Sequence, residues 1–262
     1  MAAGRKLRTK DAAAFAESLA NEAGPIALRY FRRPIAVEAK ADASPVTEAD
    51  RRIEALIRQR IRARYPTHGL LGEEHGREAG SDSLTWVIDP IDGTKSFISG
   101  MPTFGTLIAL LDGATPVLGV VDHPALRERW VGRAGMSTRC NGVVCRTSAC
   151  TRLSDAMLYA TTPDMFQGAA RTRFNAVSGQ ARQRRFGGDC YAYALLASGY
   201  IDVVIEAQLQ PYDYMALVPV IEGAGGIITD WRGGALGLDG DGRVVAAATE
   251  ALHGELLEQL NA

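Results

Sequence analysis

Carboxylates beside apolar runs dominate the chemistry-bearing residues of this 262-residue chain. Three segments hold most of them: GEEHG at Gly72–Gly76, WVIDPIDGTKSF at Trp86–Phe97 and PYDYMALVPVIEGAGG at Pro211–Gly226. A fourth, KADASPVTEAD, runs from Lys40 to Asp50. In the central segment Trp86-Val87-Ile88 reads as a strand ending in Asp89; Pro90 should stop its ladder, and Asp92-Gly93-Thr94 should begin a helix. Asp89 and Asp92 then sit at a strand's carboxyl end and at a helix start, where an open α/β layer places its ligands. A helix start presents unpaired N–H groups and a positive dipole end, which suits a phosphate, and Gly93 lets the backbone come close. Two carboxylates cannot face a phosphate dianion unaided. A hard divalent cation between them removes the repulsion, and oxygen donors select Mg²⁺ over zinc. Taken singly, each segment has a plainer reading: Asp50, Asp92 and Asp213 as helix caps, Asp89 as a strand end, the Glu73-Glu74 pair as exposed surface.

Composition narrows the classes. Hydrophobic residues make up 47% of the chain, enough for a sizeable core in one large domain or two small ones. A net charge of −1 offers no bulk attraction for nucleic acid or an anionic membrane. No apolar run is long enough to span a bilayer. The opening MAAGRKLRTKD is basic but has no apolar core after it, so no secretory signal is expected and a cytoplasmic location follows. The four cysteines (Cys140, Cys145, Cys150, Cys190) have no CxxC spacing and no histidine near the first three, so free thiols are expected rather than a zinc site. The four histidines are scattered and form no nucleophile arrangement.

The elements that must position the carboxylates follow from periodicity. Lys10–Arg33 reads as a helix with a kink or break at Gly24-Pro25. Ile53, Leu56, Ile57 and Ile61 recur at helical spacing between Thr47 and Tyr65, behind a capping start in which Asp50 replaces the usual Glu. Strands are expected at Leu84–Asp89, Thr106–Leu111, Val117–Val121 and Arg129–Gly132. The turn-rich stretch around Asn141-Gly142 is the best boundary candidate. Beyond it, strands at Ala156–Ala160, Ile201–Glu206, Gly226–Thr229 and Val244–Ala248 alternate with helical patterns at Asp189–Ala197, Tyr214–Gly223 and Ala251–Leu260. Such alternation predicts an α/β layer packed on the first half.

In combination the segments become specific. GEE, then DPIDGTxxF, then a late Asp before an apolar helix ending in AGG resembles the signature set of the inositol monophosphatase family, over nearly the whole chain from the Lys40 segment to Ala248. The resemblance implies a layered αβαβα sandwich. Residues 1–145 would form an α+β domain with most metal ligands, and 146–262 an α/β domain with Asp213 and the specificity residues. It implies Mg²⁺, about two to three ions per site. Glu73, Asp89 and the Ile91 carbonyl would hold one ion, and Asp89, Asp92 and Asp213 another, with a weaker ion near Glu73. Thr94 and Asp50 would orient and deprotonate the attacking water, and the Gly93 and Thr94 N–H groups would hold the phosphate. Glu74 and Lys40 would stand behind the ligands. The chemistry is coherent without the analogy, because phosphoryl transfer needs charge neutralisation and in-line positioning more than covalent work.

The family does not name a substrate. PYD at Pro211–Asp213, FGGDCYAYALLASG at Phe186–Gly199, FGTLIALLDGATPVLGVVDHPALRERWVG at Phe104–Gly132 and DGTKS at Asp92–Ser96 together resemble its histidinol-phosphatase branch. Histidinol phosphate carries an ammonium and an imidazole, so its pocket should offer carboxylates not used by metal. Asp189 and Glu206 are the candidates, with ordinary alternatives as a helix cap and a strand end. Inositol 1-phosphate or a broad range of sugar phosphates is the competing substrate reading. A regulatory binding protein that keeps the fold is the reading from another class. The resemblance also favours a homodimer.

Overall fold

The structure, a computed structural model, describes residues 2–39 and 45–262. Lys40 lies outside the described residues. The chain opens with α1 (Ala2–Tyr30), the antiparallel pair β1 (Val37–Ala39) and β2 (Pro45–Thr47), and α2 (Glu48–Arg64). There follow β3 (Gly69–Gly72), β4 (Gly76–Glu78), β5 (Leu84–Asp92), α3 (Thr94–Ser99), β6 (Gly105–Asp112), β7 (Thr115–His123), β8 (Glu128–Arg133), β9 (Arg139–Cys140) and β10 (Val143–Val144). The second half contributes β11 (Met157–Ala160), α4 (Gly168–Ser178), β12 (Gln183–Phe186), α5 (Cys190–Ala197) and β13 (Val203–Glu206). It closes with α6 (Pro211–Tyr214), α7 (Leu217–Gly223), β14 (Ile227–Thr229), β15 (Val244–Ala247) and α8 (Glu250–Leu260).

An eight-stranded sheet runs β10-β9-β8-β7-β6-β5-β3-β4, and a five-stranded one runs β12-β11-β13-β15-β14. Three apolar clusters lie between and outside them. α1 and α2 cover one face of the large sheet through Leu19, Ile53, Ile57 and Ile61. Tyr193, Leu196, Tyr214 and Val220 of α5, α6 and α7 fill the space between the sheets, against Val87, Leu107 and Val121 on one side and Val204 and Ala246 on the other. Phe174 and Leu256 of α4 and α8 cover the outer face of the small sheet. The order is αβαβα, as the resemblance implies. Covered on both faces, β6 is buried along nearly its whole length and reads as the continuous apolar run TLIALL rather than an alternation.

Two prolines act differently from their local expectation. Gly24-Pro25 does not end α1. Ala20, Ala23 and Ala27 are buried on both sides of it while Pro25 faces solvent. Packing of the flanking turns outweighs a penalty of roughly 3 kcal/mol for a proline inside a helix. Pro90 does not stop β5 either. Pairing with β6 shifts register between Asp89 and Asp92, and the Pro90 carbonyl accepts from Thr106 Oγ1 at 2.9 Å. A bulge is where a sheet tolerates proline.

The expected Tyr214–Gly223 helix is two elements, α6 and α7, so Asp213 lies inside a first short turn rather than ahead of it. Asn141-Gly142 is the turn between β9 and β10, with both residues at positive φ, and so belongs to the large sheet.

Candidate active site

Asp89 and Asp92 are three positions apart in one strand, and regular alternation would point them to opposite faces. The bulge at Pro90 undoes that alternation. Carboxylate oxygens of Asp89, Asp92 and Asp213 all lie within 4.8 Å of one another, although Asp213 comes from α6, beyond the second sheet's β13. Asp213 is held by accepting from the Gln210 N–H at 2.7 Å, which also caps α6. Asp92 accepts from the Cys190 N–H at 2.7 Å, at the start of α5. Glu73, just after β3, lines a cavity of 200 Å³ with Asp92 and Asp213, but not Asp89, and with Gly93, Thr94, Asp189 and Glu206. A larger groove of 680 Å³ between α1 and the β7–β8 region is lined by none of these residues.

Burial and mutual repulsion set the electrostatics. Asp89 and Asp92 are pushed well above the usual carboxylate range, by burial first and then by the charges of their acidic neighbours. Asp213 and Glu206 are each pushed up to about 7, again chiefly by burial. Asp89 Oδ1 is buried and has no hydrogen-bond partner among the described residues. Such an oxygen is costly to leave unmatched. A hard cation fits this donor set: every candidate donor is oxygen, an orphaned oxygen is among them, and the cluster carries repulsion that a divalent charge cancels.

These shifts predict how stability depends on pH. Unfolded Asp and Glu lose their protons near pH 4, so between about pH 4 and 7 the folded chain holds protons the unfolded chain has released. The contribution of Asp213 and Glu206 is complete below the unfolded values and is lost as pH rises through about 7. In excess chelator the melting temperature should fall from about pH 5 to about pH 8 at fixed ionic strength. Mg²⁺ should flatten the slope, adding about 2.7 kcal/mol at roughly a hundred times its Kd. A melting temperature that rose across that interval in chelator would contradict the assignment.

The other expected residues are placed as follows. Thr94 opens α3, and its Oγ1 donates to the Ile91 carbonyl at 3.1 Å. Asp50 is fully buried in α2; its Oδ2 accepts from Thr47 N–H at 2.8 Å and Thr47 Oγ1 at 2.5 Å, while Oδ1 has no partner among the described residues. Asp50 therefore caps a helix and still has an oxygen to offer. It does not line the cavity, but β2, which precedes α2, packs against α3. Asp189 occupies the cap position of α5 at φ +49 without capping it. Its Oδ2 instead accepts from Ser96 Oγ at 2.5 Å and Thr103 Oγ1 at 3.4 Å. Gly93 has no room for a Cβ because Asp189 stands 2.8 Å from where one would be. Glu206 is buried at the end of β13, accepting from Thr161 N–H at 2.9 Å, Thr161 Oγ1 at 2.5 Å and Tyr193 OH at 3.0 Å. Thr161, Ser96 and Tyr193 were not expected at the site. Tyr193, one of two tyrosines in the CYAYALLA helix, carries a signal as a buried hydroxyl needing a partner, and Ser96 carries one through the DGTKS string; Thr161 carries none.

Residues 9–262 match the inositol monophosphatase family. The chain belongs to that family. Its relatives include the bifunctional phosphatase IMPL2 of Arabidopsis thaliana, 46% identical across 95% of this chain and 74% of that protein. They also include a histidinol-phosphatase of Chlorobaculum parvum, 39% identical across 87% and 89% of the two chains. Among solved structures, an inositol monophosphatase from Zymomonas mobilis superposes with a TM-score of 0.89 at 40% identity, covering 97% of this chain and 98% of that one. Membership of this phosphatase family places the chain among phosphomonoesterases acting on small phosphorylated substrates. No helix among the described residues is long and apolar enough to cross a membrane.

Proposed function

We propose that this chain hydrolyses L-histidinol phosphate to L-histidinol and phosphate, with Mg²⁺ bound by Glu73, Asp89, the Ile91 carbonyl, Asp92 and Asp213. The observation that carries the reading is one cavity lined at once by the Asp92–Asp213 side of the carboxylate cluster and by two further acids, Asp189 and Glu206. Relatives named histidinol-phosphatase, from 35% to 39% identical, support the choice of substrate. The cation supplies charge neutralisation and Lewis acidity toward phosphoryl oxygen and water. The Ile91 carbonyl has a second lone pair for it beside the Thr94 hydrogen bond. Because Thr94 donates its proton to Ile91, its own lone pairs are left to accept from water and aim it. Asp50, its basicity raised by burial, does not line the cavity, so it would take the water's proton only through Thr94, whose hydroxyl would turn from the Ile91 carbonyl, give its own proton to Asp50 and receive the water's. First-turn N–H groups at Gly93 and Thr94 hold the phosphate. The proposal includes a homodimer, a cytoplasmic location, and a division of the chain near residues 145 and 146.

A second reading, inositol 1-phosphate, is favoured by the solved relative from Zymomonas mobilis. A third, a regulatory binding role, draws on the Nus factor SuhB of Escherichia coli, 33% identical over 255 residues. Phosphate release from histidinol phosphate, inositol 1-phosphate, fructose 1,6-bisphosphate and a 3′-nucleotide, each with and without Mg²⁺, separates them. Preference for inositol 1-phosphate would overturn the substrate and leave the phosphatase.

Asp189 tests recognition. Burial raises its pKa, so an ammonium beside it would gain a charge-assisted hydrogen bond of about 1.5–3 kcal/mol. Asp189→Asn should lower kcat/KM for histidinol phosphate by roughly ten- to a hundredfold and that for a small neutral phosphomonoester far less. Equal losses on both substrates would make Asp189 only an anchor for Ser96 and Thr103.

A further inference from the structure

Helix α2 carries an ion pair on its apolar side. Glu54 is fully buried and Arg58 is 4% exposed, one turn apart, with Arg58 Nε donating to Glu54 Oε1 at 2.7 Å. Neither serves the core they sit in. Both point to the turn between β3 and β4, which includes Glu73. Glu54 Oε2 accepts from the Glu74 N–H at 2.6 Å, and Oε1 accepts from the His75 N–H at 3.2 Å. The other arm of the Arg58 fork donates to the Gly76 carbonyl. Gly72 completes the fit, since a Cβ there would overlap the Glu54 carboxylate. Buried charges are retained at a cost in desolvation unless each bond they make is satisfied. Here the backbone bonds all go to the three residues that follow Glu73, while the Glu54 carboxylate abuts Gly72 just before it; Arg58 also reaches the Glu78 carboxylate at 3.7 Å and Glu54 the His75 ring at 3.4 Å.

We propose that Glu54 and Arg58 are a positioning pair that holds the Gly72–Gly76 turn, and with it Glu73, in the geometry a divalent cation needs. The inference rests on the reading of Glu73 as a metal ligand. Groups that hold ligands in place typically set metal affinity by about 10–100-fold. Among the described residues the pair's hydrogen bonds and ion pairs reach neither Asp92 nor Asp213, so its effect should fall on the Glu73 side of the site alone.

Mn²⁺ titration of the chelator-treated full chain, followed by electron paramagnetic resonance of free Mn²⁺, tests this without turnover. Glu54→Gln should weaken one class of Mn²⁺ site by about 10–100-fold, in the same class as Glu73→Gln. Asp202→Asn provides the control. Asp202 accepts from the Met157 N–H at 2.7 Å, at the opposite end of β13 from Glu206. Its loss should lower the melting temperature and leave Mn²⁺ affinity unchanged. If Glu54→Gln does not fold, Arg58→Lys keeps the buried charge but ends the bridge to Gly76, and should weaken the same class. Wild-type affinity in the folded variant, beside a weakened Glu73→Gln, overturns the positioning role and leaves Glu73 a ligand. Wild-type affinity in Glu73→Gln itself overturns the ligand reading and the inference with it.

Discussion

Asp92→Asn should fold, melt higher than the wild type in chelator, and hydrolyse almost nothing. The three outcomes share one cause. The amide oxygen still accepts the Cys190 N–H, so the anchor of α5 survives. One negative charge leaves a buried cluster in which acidic neighbours raise one another's pKa, so the metal-free protein loses repulsion. The same charge is missing when a cation and a phosphate must be held. Loss of about 3 kcal/mol or more of charge stabilisation corresponds to a fall of on the order of a hundredfold or more in kcat/KM. Thermal melts with and without Mg²⁺, beside phosphate release, measure both arms. Wild-type turnover by the variant, or full wild-type activity after verified metal removal, would end the metal reading.

Thr94→Ala carries the second large effect. The hydroxyl donates to the Ile91 carbonyl at 3.1 Å and lines the cavity, so its loss removes the acceptor that aims water without moving a charge. kcat should drop by roughly two to four orders of magnitude, the range for a general acid–base contribution. KM should change little, because alanine retains the backbone N–H groups proposed to hold the phosphate. Thr94→Ser should recover most of the rate. Near wild-type kcat in Thr94→Ala would move proton transfer to another group.

The residues that pair with their own neighbours were legible. α2 declares itself through Ile53, Ile57 and Ile61 and through the Thr47–Asp50 capping box. β5 to β8 follow from apolar runs separated by turn residues, although β5 extends three residues past its expected end. The carboxylates were found because their flanking residues resemble a known signature. What escaped depends on distant partners. β3, only Gly69–Gly72, has too few side chains to show a period and is a strand because Trp86 and Val87 lie beside it. β12 is exposed along its length and exists through parallel pairing with β11. α1 passes through Pro25 because of what the alanines on either side of it bury. At the site, Asp189 reads as a helix cap from its neighbours, and only the fold reveals that Ser96 and Thr103 bind it instead.

The carboxylate cluster joins residues more than a hundred positions apart in the chain, Asp92 and Asp213, and this orders events in time. During synthesis the large sheet, with Glu73, Asp89 and Asp92, emerges well before Asp213. Until α6 docks, the early carboxylates lack Asp213, and any cation site that needs all three oxygens is incomplete. Closing so long a loop costs entropy that no local contact returns. The Asp89–Asp92–Asp213 cluster is therefore a property of the finished molecule alone, assembled only when α6 reaches β5 of the large sheet.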